Sequence, residues 1–301
     1  ALALLVAPVL VNTELTNHLY TLAETARPAL VGMAVLAAGL VLWAAFVAMD
    51  ARFDKEAGTT DKVDTAEEDK FRFSDIWKIL SNPRFLMIAI LCVTFYCCVI
   101  RFKKFGVSIL ITLFGVEYDI ATWLLAMIPF FTIVFTPLFG SMVDKVGNAT
   151  KWMIVGAGMV LVSHLIITYA PMGVPAYAYI SIALLGIGYS LVPAAMWPSV
   201  PKIVPERNLG TAYSLIYWVQ NLGMWAVPIL VGDILNKGIF ISSLKGTGNG
   251  ETITVETVSV GATISAEYVF IILGVIAITT AILLFRSSRR HPELGLDKPV
   301  K

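Results

Sequence analysis

Charged side chains are scarce in this sequence. Asp, Glu, Lys and Arg make up 14% of the 301 residues, whereas about a quarter is usual for soluble proteins. The formal net charge is +1, so the chain lacks the strong basic field that proteins use to attract nucleic acid. We therefore exclude nucleic acid as a partner.

Cysteine is also scarce, and groups typical of catalysis are missing. The three cysteines, Cys92, Cys97 and Cys98, lie in one apolar run without the separated CxxC pairs of a zinc site. We interpret them as small apolar residues inside a helix. The sequence contains no nucleophile and base pair, metal-ligand cluster or phosphate-binding loop. We therefore predict that the protein is not an enzyme, with no catalytic residues, no metal and no cofactor.

Hydrophobic residues, in contrast, are abundant at 57%, and the mean hydropathy is +0.79. A helix needs about 20 apolar residues to cross a bilayer core of about 30 Å. Backbone groups in lipid must be paired internally, so the spans are predicted to be helices. The second span is short and is predicted to continue to Phe114 as an amphipathic or bent extension. Seven spans are predicted, at 29–49, 85–100, 120–143, 151–170, 176–199, 211–232 and 267–285.

Residues 50–84 form a charged segment with seven Lys or Arg and nine Asp or Glu, typical of a solvated, partly disordered linker. A cytoplasmic linker puts 16 of the 22 Lys and Arg on the cytoplasmic side, as the positive-inside rule requires. The tail 287–301 is then cytoplasmic too. The loop 233–267 lies outside, and it is either a small hairpin or a disordered insertion.

A tight turn rich in glycine joins the spans 120–143 and 151–170. It reads Gly140-Ser-Met-Val-Asp-Lys-Val-Gly-Asn-Ala-Thr-Lys151. Glycine allows the chain to reverse, and an acid near a helix start is favoured by the helix dipole. The turn resembles the inter-helix motif of the major facilitator superfamily, although Asn148 replaces a residue that is usually basic there. In that family the motif latches two helical bundles, and the matching residues are Gly140, Asp144, Lys145, Gly147 and Lys151.

A second turn, Val204 to Ala212, resembles the corresponding family turn two helices later, with Glu206 and Gly210 as its latch residues. Finer similarity to the lysosomal dipeptide uniporter branch and its bacterial relatives covers residues 84–286, including Trp197-Pro198 and Gln220-Asn221. The resemblance implies an all-α, polytopic helical bundle in which this chain supplies helices 5 to 12. The domains expected are 1–49 (part of helix 5, and helix 6), the linker 50–84, a six-helix bundle 85–286 and the tail 287–301.

The same resemblance implies a secondary carrier that moves a small solute by alternating access. Dipeptides or other small amphipathic solutes are the favoured cargo, with an organic anion or a sugar as the alternative. A membrane partner or receptor built on a transporter scaffold is a further alternative. The expected partners are the solute, the lipid bilayer and the N-terminal helices of the same protein. The expected location is the plasma membrane of a bacterium.

Three helical faces carry the candidate solute-binding residues. One polar and aromatic stripe runs along the span 211–232 at helical spacing, and its alternative is plain helix packing. The resemblance places the spans 85–100 and 176–199 at the central cavity. Lys104 either pairs with a solute carboxylate there or, with Arg101 and Lys103, snorkels to the headgroups. The candidates are Tyr96, Lys104, Tyr189, Trp197, Tyr217, Gln220 and Asn221.

His164 is an ionisable residue within an apolar span. Such residues are costly in a bilayer and often serve as proton relays. The resemblance places this span at the bundle periphery, which favours a neutral, hydrogen-bonded structural histidine. Both interpretations predict a polar partner for the imidazole.

Overall fold

A computed structural model describes residues 22–56, 73–245 and 252–299. The chain divides into two compact units, residues 1–70 and 71–301. In the first unit the described residues form one helix, α1 (Leu22–Glu56). The partial span predicted at the start of the chain lies outside the described residues.

The second unit begins with a short helix, α2 (Phe73–Leu80), and continues through six long helical segments. The first of them consists of α3 (Pro83–Tyr96), a π-helical turn (Cys97–Arg101) and α4 (Phe102–Phe114). The others are α5 (Tyr118–Val146), α6 (Ala149–Tyr169), α7 (Pro175–Met196) with its 3₁₀ end (Trp197–Lys202), α8 (Leu209–Asn236) after a 3₁₀ turn (Glu206–Asn208), and α9 (Val260–Arg290) before a last 3₁₀ turn (Pro292–Leu294).

Seven described helical segments are long and apolar enough to cross a membrane, and each covers one of the seven predicted spans to within one residue at either end. The predicted all-α membrane fold is confirmed. The predicted extension of the second span is confirmed too, since α3, the π turn and α4 form one run from Pro83 to Phe114.

Strands β1 (Ile239–Lys245) and β2 (Thr252–Val258) pair antiparallel between α8 and α9, with Ile239 opposite Val258. Of the two alternatives for this loop, the hairpin is therefore the one observed. We call this end of the bundle the hairpin side. The opposite end carries the C-terminal segment His291–Pro299 and is called the tail side.

One predicted boundary was wrong. The last span begins at Val260, not at residue 267, because the Ser259 side chain caps the helix by accepting a hydrogen bond from the Ala262 N–H. The segment 50–84, predicted to be a partly disordered linker, is helical in the described parts at its two ends. At its start α1 continues to Glu56, and at its finish α2 buries Ile79, which follows Ile76 at helical spacing.

Close backbone approach holds α6 against α7. A Cβ atom on Gly188 would lie 2.8 Å from the Gly156 carbonyl oxygen, and one on Gly156 would lie 2.6 Å from a Val192 methyl group. Both distances are shorter than van der Waals contact, so these positions accept only glycine without a shift. Small residues at such crossings are typical of membrane helix pairs, and this one positions α7 beside the candidate site.

Candidate functional site

An aromatic cluster joins three helices of the bundle. The Trp197 indole N–H donates to the Tyr96 hydroxyl at 3.2 Å, and the Trp197 ring stacks on Tyr217 with centroids 5.1 Å apart. Tyr189 meets Tyr96 edge-on at 5.9 Å, while Tyr213 lies 5.8 Å from Trp197. Tyr96, Tyr189, Trp197, Tyr213 and Tyr217 are called the aromatic cluster below.

Local sequence places these rings on converging faces. Tyr213 and Tyr217 are four residues apart on α8, and Tyr189 lies eight residues before Trp197, so each pair shares a helix face. Trp197 begins the 3₁₀ end of α7, which contains Pro198 and Pro201. Proline has no backbone N–H to donate to an α-helical hydrogen bond, and the 3₁₀ turn that contains these two prolines starts at the tryptophan.

Four of the seven predicted binding residues meet in this cluster, namely Tyr96, Tyr189, Trp197 and Tyr217. Gln220 is buried one turn further along α8, and its Oε1 accepts from the Cys92 thiol at 3.3 Å. Asn221 is exposed and donates to the Tyr217 carbonyl oxygen at 2.9 Å. Whether these side chains touch a solute stays a prediction.

Lys104 is placed apart from the aromatic cluster. It is exposed, and its ammonium lies 5.5 Å from the centroid of the Phe105 ring. Within the described ranges it makes no hydrogen bond or ion pair. Its assignment to the solute carboxylate therefore rests on the sequence argument alone.

The predicted latch turn has a strained backbone that explains its glycine and asparagine. Gly147 has a φ of 68° and Asn148 has a φ of 58°, values that favour glycine and, next, asparagine. A Cβ atom on Gly147 would also collide with the Asp297 carbonyl oxygen. Asp144, Lys145 and Lys151 are exposed, as are Glu206 and Gly210 in the second turn, while Gly140 is half-buried with open space around it.

Asp297, not Asp144, caps the helix that follows this turn. Its carboxylate accepts from the Thr150 backbone N–H at 2.9 Å and from the Thr150 hydroxyl at 2.7 Å. It also accepts from the Ser288 hydroxyl at 2.7 Å. Among the described residues Asp144 has no hydrogen-bond or ion-pair partner. Sequence reasoning missed Asp297 because it lies 147 residues from Thr150 along the chain.

The C-terminal segment His291–Pro299 makes a second set of hydrogen bonds on the tail side, to Lys202. The Lys202 ammonium donates to the carbonyl oxygens of Gly295 at 3.1 Å and of Leu296 at 3.4 Å. Leu296 is buried. Two hydrogen bonds, one from its own backbone N–H and one from His291, lower the pKa of Glu293. The tail thus connects the α5–α6 turn with α7 and α9.

We expect Asp297 and Asp144 to act on different properties. Asp297→Ala should lower the free energy of unfolding by about 0.5 to 2 kcal/mol, because it removes a helix cap. Asp144→Asn should leave stability near normal and slow transport, because the charge of a latch acts on the conformational equilibrium. Thermal unfolding in detergent and initial uptake rates measure the two effects. Unchanged uptake in Asp144→Asn would show that this residue merely belongs to a turn.

His164 has the polar partner that both interpretations required. Its Nδ1 lies 2.8 Å from Glu267 Oε2, and both side chains are fully buried between α6 and α9. The imidazole stacks on Phe270 and meets Phe102 edge-on, each with centroids 5.2 Å apart. His164 Nε2 and Glu267 Oε1 have no hydrogen-bond partner among the residues that the structure describes. Glu267 was assigned no role from the sequence, because it stands at the edge of the predicted outer loop 233–267.

Comparison with known proteins identifies a family and relatives that fit this helical membrane architecture. The pattern of the Major Facilitator Superfamily matches residues 2–228. The human Lysosomal dipeptide transporter MFSD1 is 33% identical over 183 residues, 61% of this chain and 37% of that protein. The Bos taurus protein of the same name is 30% identical over 240 residues, 75% of this chain and 48% of that protein.

The match thus spans less than half the length of these curated relatives. The family model nevertheless covers most of this chain, and seven helices of its described part are long and apolar enough to cross a membrane. The chain is an integral membrane protein and belongs to the major facilitator superfamily.

Proposed function

We propose that the protein is a secondary carrier of a small solute, with the aromatic cluster as the C-terminal wall of the solute site. The observation that carries the proposal is the convergence of five aromatic side chains from α3, α7 and α8. Aromatic rings with polar tips suit an amphipathic solute, since they offer apolar faces and hydroxyl groups together. Family membership supports transport over a merely structural bundle.

Dipeptides are the favoured cargo because the relatives are named dipeptide transporters. The cluster supplies apolar surface for peptide side chains, whereas the sugar alternative would call for more hydroxyl and amide partners. A scaffold that acts as a membrane partner without transporting anything remains the rival from a different class. Such a scaffold would bind no small solute.

We further propose that two bundles of the full-length protein rock around this site and expose it alternately to each side. The turn Gly140–Lys151 is then the latch on the tail side. The proposed location is a plasma membrane of bacterial type. The relatives are named lysosomal, so reporter fusions in the source cell are needed to choose between the two membranes.

Counterflow in liposomes tests the carrier proposal. Vesicles containing the full-length protein, with any segment that precedes Ala1, are loaded with unlabelled dipeptide and supplied with labelled dipeptide outside. Transient accumulation of label is expected, and empty vesicles serve as the control. Binding without counterflow would support a receptor, and accumulation of organic anions or sugars alone would change the cargo. Neither binding nor counterflow of any solute would contradict the proposal.

We expect the tail side to be cytoplasmic, from the distribution of Lys and Arg. Cysteines replace Lys237 on the hairpin side and Glu293 on the tail side, both exposed, in a background without the native cysteines. A membrane-impermeant maleimide should label position 237, but not 293, in intact cells. Permeabilised cells should show both labels. The reverse pattern in intact cells would invert the orientation.

A further inference from the structure

The guanidinium of Arg101 has no counter-charge in the part of the chain that the structure describes. Its Nε is buried and has no hydrogen-bond partner, while the side chain as a whole is half-buried. Glu267, a buried carboxylate of the spans, is already occupied by His164. An unpaired cation inside a membrane span is costly and is usually functional. Arg101 therefore calls for an anionic partner from beyond these residues.

Arg101 lies near the middle of its span. The helical run extends from Pro83 to Phe114, and at 1.5 Å per residue Arg101 is only about 4 Å past its midpoint. Side chains on a helix point toward its N-terminus, which here is the tail side. The guanidinium is therefore directed toward the bilayer centre and away from the nearer headgroups on the hairpin side. That direction disfavours the snorkelling interpretation for this residue.

The π turn Cys97–Arg101 positions this side chain. Its i→i+5 hydrogen bonding makes a wider turn than an α-helix, and such turns occur frequently at functional sites. The π turn packs against α8. Cys97 in turn faces Gly223 of α8, where a Cβ atom would be 3.0 Å from its sulfur. Arg101 is thus near α8, the helix that carries Tyr213 and Tyr217.

We propose that Arg101 binds the carboxylate of the transported solute. Arg101 lies five positions after Tyr96, about 7.5 Å along the helix, and an extended dipeptide spans about 7 Å. The rest of the solute then lies along the aromatic cluster. A guanidinium suits this role because its planar fork donates two parallel hydrogen bonds to a carboxylate. The identity of the solute rests on the proposed function, whereas the need for a carboxylate does not.

Matched acids and amides test the assignment in the purified full-length protein. Dipeptides, and N-acetylated amino acids as simpler carboxylates, are compared with their C-terminal amides by ligand-induced thermal stabilisation. The variants are Arg101→Gln, Arg101→Lys and Lys104→Gln, the last of which tests the cation that the sequence analysis had assigned to the carboxylate. Monodisperse elution in size-exclusion chromatography is required of each variant before binding is measured.

We expect Arg101→Gln to weaken the acids roughly ten- to a hundredfold and the amides less than about threefold, because only the acids use the charge-assisted bonds. Arg101→Lys keeps the positive charge but lacks the planar guanidinium, so its loss of affinity for the acids should be intermediate. This variant provides the test if Arg101→Gln does not fold. Lys104→Gln should show no such selectivity between acids and amides, because we assign the carboxylate to Arg101.

Three outcomes would overturn the proposal. An acid-selective loss in Lys104→Gln but not in Arg101→Gln would transfer the role to the lysine. Equal losses for acids and amides in the Arg101 variants, with lower stability of the ligand-free protein, would identify an acidic side chain of another segment as the partner. Equal affinity of the unaltered protein for acids and amides would show that no cationic side chain binds the carboxylate of the ligand. If N-acetylated amino acids bind through Arg101 and dipeptides do not bind, only the dipeptide assignment fails.

Discussion

His164→Phe is expected to lower the free energy of unfolding by about 3 to 5 kcal/mol, because it leaves the buried Glu267 carboxyl without a partner. The mirror change, Glu267→Met, leaves the buried imidazole without its hydrogen-bond partner and should cost about 1 to 3 kcal/mol. The double variant should return to within about 2 kcal/mol of the unaltered protein, since apolar residues of similar volume replace a buried polar pair at little cost. Thermal and denaturant unfolding in detergent measure all three.

Ser163→Ala is the matched control for this cycle. Ser163 is equally buried, and its hydroxyl donates to the Ser181 carbonyl oxygen at 2.8 Å. Its loss should cost only about 0.5 to 1.5 kcal/mol, the usual net value of one hydrogen bond. If the costs of His164→Phe and Glu267→Met simply add in the double variant, the two side chains are not coupled.

The same double variant separates the two interpretations of His164. A structural pair predicts that transport continues with the pH profile of the unaltered protein once the apolar residues restore stability. A proton relay predicts that transport is lost although the protein is stable. We expect the first result, because stacked Phe270 and edge-on Phe102 enclose the imidazole and keep it from solvent.

Trp197→Ala is expected to weaken dipeptide binding ten- to a hundredfold, whether the C-terminus is free or amidated. The indole contributes the stacking surface shared with Tyr217 and the hydrogen bond to Tyr96, and truncating a central aromatic anchor commonly costs at least about 2 kcal/mol. Trp197→Phe keeps a ring but loses the N–H, so its loss should stay below about tenfold. Binding isotherms in detergent give the comparison.

Trp123→Ala is the control for general loss of a tryptophan. Trp123 lies on α5, is 55% exposed and makes no ring contact with the cluster among the described residues. Its binding should match that of the unaltered protein. Normal affinity in Trp197→Ala would remove the aromatic cluster from the proposed site. An equal loss in Trp123→Ala would attribute the effect to the bundle as a whole.

The seven spans could be predicted from hydropathy. Each membrane helix must pair its own backbone N–H and C=O groups and match the bilayer thickness, independently of the neighbouring helices. Local chemistry also explained the latch turn, since Gly147 and Asn148 adopt conformations that few other residues tolerate. The start of the last span was predicted seven residues too late, because the charged residue Glu267 was assigned to the loop. Only the tertiary contact with His164 makes its burial acceptable.

The candidate site was predictable only in part. Helical periodicity identified Tyr189, Trp197 and Tyr217, because residues at these spacings share a face. It favoured Lys104 over Arg101 because an ideal α-helical period was assumed through the segment, and the π turn at Cys97–Arg101 breaks that period. The turn has no sequence signature that periodicity could detect.

By itself, the sequence determined that this chain is a helical membrane protein, where its spans lie and which family it resembles. These properties follow from local hydrophobicity and turn chemistry, which act over a few residues. Only the tertiary structure decided that Asp297 caps α6, that Glu267 pairs with His164 and that the buried Nε of Arg101 has no hydrogen-bond partner among the described residues. The two contacts that formed join residues more than 100 positions apart, and their energies depend on burial and geometry that exist only after the helices have packed.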